Sequence, residues 1–165
     1  MPHSPWPQNQ INCSEESIFF SLTTINDKNN LNNLTMIQTG IKGRLEETVT
    51  PEMSAARVGS GLEDVFATPM MIALVEKTCN ESVLPFLDEG QGTVGTLVNV
   101  AHTAATPIGM RVWCESELVE VDRRRLVFKV KAFDECGAIG EGSHERFIID
   151  TAKFIEKVRN KNQEL

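Results

Sequence analysis

The strongest apolar pattern in the chain lies at residues 66–87, FATPMMIALVEKTCNESVLPFL. Thr68 and Pro69 predict a helix start there, because threonine is a favoured N-cap and proline a favoured first helical residue. Apolar residues then recur on one face at helical spacing: Ile72, Val75, Cys79, Val83 and Phe86. Since the first two turns are apolar all round, we expect the N-terminal half of this helix to be buried.

Alternating polar and apolar positions predict strands on both sides of the helix. A weak alternation at residues 41–49 precedes it, and the glycine-containing connection 51–64 is expected to be mobile. After the helix, alternation predicts four strands separated by turns, at residues 93–103, 111–121, 126–132 and 139–149. Residues 151–162 are typical of a short terminal helix with Asp150 or Thr151 as its cap.

The order of these elements predicts the fold class. Consecutive hairpins give an antiparallel sheet with one face available for the core. One long apolar helix beside such a sheet must be wrapped by it. We therefore expect an α+β hot-dog fold, in which an antiparallel sheet surrounds one long central helix, plus a short C-terminal helix. One small sheet covers such a helix incompletely, so pairing with a second copy is expected.

The amino-acid composition of the N-terminal residues differs from that of the rest of the chain. Residues 1–38 are rich in Asn, Ser, Thr and Gln, which is typical of a poorly ordered tail, and Met36 could be the true start. We therefore expect a tail over residues 1–38 and one domain over residues 39–165. The net charge of −7 argues against general nucleic-acid binding, which needs a basic surface.

Cysteine spacing and hydropathy argue against a disulfide framework, a zinc site and a membrane span. The four cysteines include no CxxC pair, which favours reduced thiols in a cytoplasmic protein over a disulfide framework or a zinc site. No apolar run approaches the ~18 residues of a membrane span. The sequence contains no GxSxG, GxGxxG, Walker A or HExxH motif and no metal-ligand spacing. We expect no metal, no cofactor and no contact with membrane or nucleic acid.

One carboxylate, Glu76, follows the apolar first half of the predicted helix, eight residues after Thr68. The two side chains therefore fall on roughly the same side of the helix. Thr68 is either a simple N-cap or a hydroxyl near the positive end of the helix. Glu76 is either a carboxylate paired at a subunit contact or a general base or nucleophile, with a pKa tuned by apolar surroundings.

Further candidates lie on the predicted strands. His102, near a strand end, is either a hydrogen-bonded structural group or a proton carrier. Gly95, within the same strand, indicates a bulge or a close approach of the backbone, and its backbone N–H could stabilise an oxyanion. His144 and Arg146 share a strand face and are by default a surface pair, although Arg146 could bind a phosphate or carboxylate.

A basic run occupies a predicted hairpin tip at Arg123, Arg124 and Arg125, near Lys129 or Lys131. Such residues are most often solvated. In an otherwise acidic chain they are also the best candidates for binding the phosphates of a coenzyme.

Three segments resemble the thioesterase family typified by fluoroacetyl-CoA thioesterase, a hot-dog group: FATPMMIALVEKTC, GTLVNVAHTAATPIGMRV and RRLVFKVKAFDECGAIGEGSHER. The resemblance extends from about residue 41 to 160. It implies five site residues, the catalytic Thr68, Glu76 and His102 and the substrate-binding Gly95 and Arg146. It also implies hydrolysis of short acyl-CoA thioesters in a homodimer or dimer of dimers, with sites near the subunit interface.

One segment departs from that family, in which fluoroacetyl-specific members carry a phenylalanine-bearing lid just before the catalytic threonine. Here residues 53–69 contain small residues and a single aromatic one, Phe66. The sequence therefore predicts short-chain acyl-CoA hydrolysis without fluoroacetyl selectivity, and Glu76 either attacks the thioester or activates water. The alternatives are a non-catalytic acyl-CoA-binding or scaffold dimer and a hot-dog hydratase, whose Asp/His motif is not evident.

Overall fold

The structure is a computed structural model, and it describes residues 37–161. The predicted tail over residues 1–38, with its possible start at Met36, lies outside the described residues except for its last two positions. The elements are, in chain order, β1 (Lys42–Thr48), α1 (Ala55–Val58), α2 (Thr68–Val83), β2 (Gln91–His102), β3 (Arg111–Asp122), β4 (Arg125–Asp134), β5 (Gly137–Asp150) and α3 (Thr151–Asn160). Single 3-10 turns at Pro51–Met53 and Leu84–Phe86 precede α1 and follow α2.

The strands form one five-stranded antiparallel sheet in the order β1-β3-β4-β5-β2. Tight turns join β3 to β4 and β4 to β5, so these three strands form the centre of the sheet. β1 adds to β3 at one edge, and β2 adds to β5 at the other. The structure confirms the five predicted strands and the predicted terminal helix. The Asp150 side chain caps this helix by accepting a hydrogen bond from the Lys153 N–H.

The core lies between α2 and the inner face of the sheet. Alternate residues of β4, Leu126, Phe128 and Val130, point inward and are buried, while the residues between them are more exposed. They pack with buried residues of α2: Met71, Leu74, Val75, Cys79 and Val83. Each such side chain contributes about 1.5–3 kcal/mol relative to exposure. This packing confirms the α+β hot-dog fold expected from the sequence.

The start of α2 differs from the sequence prediction in two respects. Ala67 is the N-cap, so Thr68 is the first helical residue and does not cap the helix. Pro69 still fits in the second position, because the first N–H groups of a helix have no intrahelical partner. The N-terminal half is also not fully buried in the protomer, since Thr68, Pro69 and Ala73 are exposed.

The connection between β1 and α2 is more regular than predicted. It contains the 3-10 turn and α1, which begins where the Ser54 hydroxyl accepts a hydrogen bond from the Arg57 N–H. Backbone bonds from Ala55 to Val65 and from Ala56 to Glu63 tie its two halves together. A four-residue helix is too short to leave a periodic apolar pattern, so the sequence does not predict it.

Candidate active site

The first group of candidate residues lies at the N-terminal end of α2. Thr68 is the first residue of that helix and His102 the last residue of β2, and Thr68 Oγ1 lies 2.9 Å from His102 Nδ1. Burial lowers the pKa of His102, and a backbone contact with Ala104 opposes this effect only in part. The imidazole is therefore neutral near pH 7. We call Thr68 and His102 the hydroxyl pair, because a hydroxyl bonded to a neutral imidazole can lose its proton to it.

The second group is centred on Glu76, two turns further along α2. Its carboxylate contacts the backbone of Gly95 so closely that a Cβ added there would collide with it. Gly95 begins a β-bulge, because it pairs with Arg146 while Leu97 pairs with Glu145, which leaves Thr96 as an extra residue. The predicted alternatives of a bulge and a close backbone approach are therefore both realised at Gly95.

The surroundings of Glu76 differ from the sequence prediction. A carboxylate enclosed by apolar groups was expected, because the preceding two turns of the helix are apolar. In the protomer the Glu76 side chain is 42% exposed, and its Oε1 lies 3.9 Å from His144 Nε2. One side of the carboxylate therefore faces the protein, and the other faces outward.

His144 and Arg146 are not the surface pair that the sequence indicates by default, because both are buried. Arg146 Nε donates to Thr93 Oγ1 at 2.7 Å, and its Nη2 donates to the Thr93 carbonyl and to Asn80 Oδ1. Its Nη1 donates to the Glu76 carbonyl at 3.4 Å and to His144 Nε2 at 3.1 Å. The guanidinium thus links β2 to α2.

Together, Glu76, Gly95, His144 and Arg146 form what we call the carboxylate cluster. Three of its members, Glu76, Gly95 and Arg146, are site residues expected from the sequence, whereas His144 was expected at the surface. The missed signal was its position. His144, Arg146 and Ile148 are spaced two residues apart in β5, so they share one face of the strand, and Ile148 faces the core. Burial lowers the pKa of Arg146, and the nearby charge of Glu76 opposes that shift.

The hydroxyl pair and the carboxylate cluster are separate within one protomer. Thr68 and Glu76 are eight residues apart on α2, which corresponds to about 12 Å along the helix axis. The sequence prediction that both lie on one side of the helix says nothing of this distance. Neither group alone contains the full set of a hydroxyl, an imidazole, a carboxylate and an oxyanion donor.

The basic hairpin tip lies elsewhere. Arg125 forms ion pairs with Glu145 and Glu120, and the exposed Arg123 contacts Asp122. Arg124 and Arg159 line a cavity of about 920 Å³ between the hairpin tip and α3. The same lining contains three carboxylates, from Glu89, Asp150 and Glu156. This acidic balance gives no support to phosphate binding by the basic run, which stays a prediction.

Among residues 37–161, no three His, Cys, Asp or Glu side chains are grouped as ligands for a metal ion. None of the helices in the described part of the chain is long and apolar enough to span a membrane. Cys79, Cys114 and Cys136 are free thiols.

Comparison with known proteins connects this geometry to a family. A family model described as fluoroacetyl-CoA-specific thioesterase matches residues 49–152, which contain both groups. The fluoroacetyl-CoA thioesterase of Streptantibioticus cattleyicolor is 46% identical over 98 residues, covering 59% of this chain and 70% of that protein.

Solved structures agree with the sequence comparison. A structure of the fluoroacetyl-CoA thioesterase FlK matches with a TM-score of 0.73 at 37% identity, over 76% of this chain and 97% of that one. A variant of FlK in complex with fluoroacetate and CoA matches with a TM-score of 0.68 at 35% identity, over 72% and 99% of the two chains. A Thermus thermophilus protein described as a thioesterase superfamily member matches with a TM-score of 0.72 at 31% identity, over 78% and 95%.

Proposed function

The chain belongs to the fluoroacetyl-CoA-specific thioesterase family and is a thioester hydrolase, and we propose that it cleaves short-chain acyl-CoA esters to the free acid and coenzyme A. The observation that carries this proposal is the 2.9 Å hydrogen bond between Thr68 and His102 at the start of the central helix. That end of a helix is electropositive, so it favours the negative charge that develops on a thioester carbonyl during attack.

The proposed chemistry involves five residues. Glu76 either attacks the carbonyl carbon or removes a proton from an attacking water; the two routes remain open. The Gly95 N–H stabilises the oxyanion. Thr68 orients the reacting group. If Glu76 activates water, the proton that it takes from the water passes through His102 to the departing CoA thiolate. If Glu76 attacks, CoA departs as the thiolate, and the water that then hydrolyses the acyl-enzyme anhydride releases the proton that His102 passes on. Arg146 completes the site from beneath, through its bond to the Glu76 carbonyl.

We further propose that two protomers build each site. Reacting groups must approach to about 3–3.5 Å, whereas Thr68 and Glu76 of one chain are about 12 Å apart along α2. In a homodimer, the hydroxyl pair of one protomer can face the carboxylate cluster of the other. Two features support this arrangement: the exposed face of α2 at Ala73, and the edge strand β2 with its exposed Leu97 and Val98.

Purified mixed dimers test this proposal directly. Thr68→Val and Glu76→Gln chains carrying different tags are co-expressed, and the heterodimer is isolated with both tags. Because one of its two sites is free of both substitutions, we expect about half of the wild-type rate. A heterodimer of Thr68→Val with the double variant Thr68→Val/Glu76→Gln contains no intact site and should be inactive. Inactivity of the first heterodimer as well would place each site within one protomer.

Thiol release from acetyl-, propionyl- and butyryl-CoA tests the proposed substrate class. Turnover of none of them would favour an acyl-CoA-binding or scaffold dimer. A cytoplasmic location also belongs to the proposal, supported by the free thiols of Cys79, Cys114 and Cys136. Cell fractionation followed by immunoblotting checks it.

A further inference from the structure

His144 is fully buried, and the chemistry proposed above gives it no task. Both of its ring nitrogens nonetheless have partners within the carboxylate cluster and the β2 bulge. Nδ1 lies 2.8 Å from the Leu97 carbonyl, and Nε2 lies 3.1 Å from Arg146 Nη1. A side chain that only fills space in the core does not need hydrogen-bond partners on two nitrogens. The two bonds of His144 therefore indicate a role beyond packing.

These partners determine the protonation of the ring. A carbonyl can only accept, so Nδ1 carries a proton and donates it to Leu97. A guanidinium can only donate, so Nε2 is unprotonated and accepts from Arg146. His144 is therefore a neutral imidazole in its Nδ1–H form. Burial and the charge of Arg146 lower the pKa of His144 and outweigh the bond to Leu97 and the charges of Glu76 and Glu145, which raise it; this direction agrees with a neutral ring.

The bonds of His144 connect the bulge to the central helix. Leu97 is the first paired residue after the extra residue Thr96, so its carbonyl lies on the far side of the bulge. Arg146 continues the connection to the Glu76 carbonyl and to Asn80 on α2. The ring edge of His144 lies beneath Gly95, where an added Cβ would come within 3.1 Å of Cε1.

We propose that His144 is a positioning residue of the thioesterase site, which holds the β2 bulge so that the Gly95 backbone stays against the Glu76 carboxylate. This inference rests on the proposed function. His144 transfers no proton itself, because both nitrogens are already in fixed hydrogen bonds. Loss of the bond to Leu97 lets the bulge shift, and the Gly95 N–H then no longer points to the position of the oxyanion.

Two near-isosteric variants separate the two bonds of the ring. The side-chain amide of His144→Asn can place an N–H near the position of Nδ1 and keep the bond to Leu97. His144→Gln places its amide near the position of Nε2, so it loses that bond. His144→Leu fills the space and loses both. Val112→Ala serves as a control for general destabilisation, because Val112 is fully buried on β3, two strands away from β5.

We expect kcat to fall by roughly 10²-fold in His144→Gln and His144→Leu, as for loss of an oxyanion donor, with KM changed less than about threefold. His144→Asn should keep kcat within about tenfold of wild type. Val112→Ala should lower the melting temperature and leave kcat unchanged. A loss of kcat that follows the melting temperature across all four variants, or an equal loss in the Asn and Gln variants, would overturn the proposal.

Nuclear magnetic resonance of the full-length chain tests the inference without any turnover. Ring ¹⁵N shifts should identify His144 as the neutral Nδ1–H form at pH 7, and an Nε2–H form or an imidazolium would refute the assignment. The amide signals of Gly95, Thr96 and Leu97 should move in His144→Leu and stay in place in Val112→Ala. If the wild type hydrolyses no acyl-CoA, the proposed function fails, but these signals still report whether His144 holds the bulge.

Discussion

The hydroxyl pair and the carboxylate cluster are held in place in opposite ways, although both join α2 to β2. The hydroxyl pair consists of two side chains and one hydrogen bond, and the exposed Thr68 faces outward. The carboxylate cluster rests on two buried residues, His144 and Arg146, whose bonds reach Thr93, Asn80 and Leu97. We infer that a pair that transfers a proton needs few supporting hydrogen bonds, whereas a carboxylate and a backbone amide need a network of buried hydrogen bonds to hold their positions.

The largest expected effect comes from the carboxylate cluster. Glu76→Gln keeps the shape of the side chain and removes its charge, so we expect kcat to fall by roughly 10²–10⁴-fold, the range for a positioned acid–base group. Thiol release from acetyl-CoA measures it. Glu81→Gln, an exposed carboxamide substitution on the same helix, is the matched control and should be near normal. Near-normal turnover by Glu76→Gln would remove the carboxylate cluster from the mechanism.

Thr68→Val should lower kcat by roughly 10²-fold, because the hydroxyl is lost, whereas Thr68→Ser should stay within about tenfold. The free energy of unfolding separates a role of Thr68 in the site from a role as helix N-cap. Since Thr68 does not cap α2 and is exposed, the valine variant should unfold within about 0.5 kcal/mol of wild type. Loss of a true N-cap costs typically ~1 kcal/mol. Urea unfolding distinguishes these values, and a cap-sized loss would contradict the assignment of Ala67 as N-cap.

The pH dependence should reflect the hydroxyl pair. The lowered pKa of His102 keeps the ring neutral through pH 7, so it can act as a base there. As the pH falls through that pKa, the ring becomes protonated and kcat/KM should decrease, with the midpoint below the ordinary value of about 6.5. His102→Gln should lose this acid limb. A pH profile that is the same in wild type and variant would make His102 structural.

The smallest expected effect concerns the acyl group. The segment before α2 has no aromatic residue between positions 53 and 65, and its Leu62 is 93% exposed in the protomer. A small change in an apolar pocket is worth only ~1–3 kcal/mol. We therefore expect kcat/KM for fluoroacetyl-CoA and acetyl-CoA to agree within about tenfold. A preference of several orders of magnitude would show that another element, the N-terminal residues or the partner protomer, closes the pocket.

The sequence predicted the places of Thr68 and His102 in the fold, although not their contact, better than it predicted the carboxylate cluster. A helix start at Thr68 and a strand end at His102 are local features, and both follow from turn residues and periodicity. The cluster depends on which residues of β5 lie opposite Thr93 and Asn80, which no local pattern contains. His144 was therefore expected at the surface, because polar side chains on a strand are exposed more often than buried, and Arg146 was expected in the site only through the family resemblance.

The exposure of Glu76 could not be deduced from the sequence either. The six apolar residues before it predict an enclosed carboxylate, but the amount of cover depends on how far a five-stranded sheet curves around the helix. The strands, by contrast, were predicted to within two residues at each end. Alternation of period two and short polar turns specify hairpins with little help from the rest of the chain.

The bulge also determines to which face of the sheet the side chains of β2 point. Gly95 and His102 are seven residues apart, and in a regular strand an odd separation sends two side chains to opposite faces. Thr96, the extra residue, reverses that parity, which is why Gly95 can touch Glu76 while His102 reaches Thr68 on the same side of the sheet. Deletion of Thr96 would leave Gly95 and His102 at an even separation and so on the same face, whereas regular pairing of Thr96 with β5 would turn one half of β2 inside out relative to the other and abolish the site.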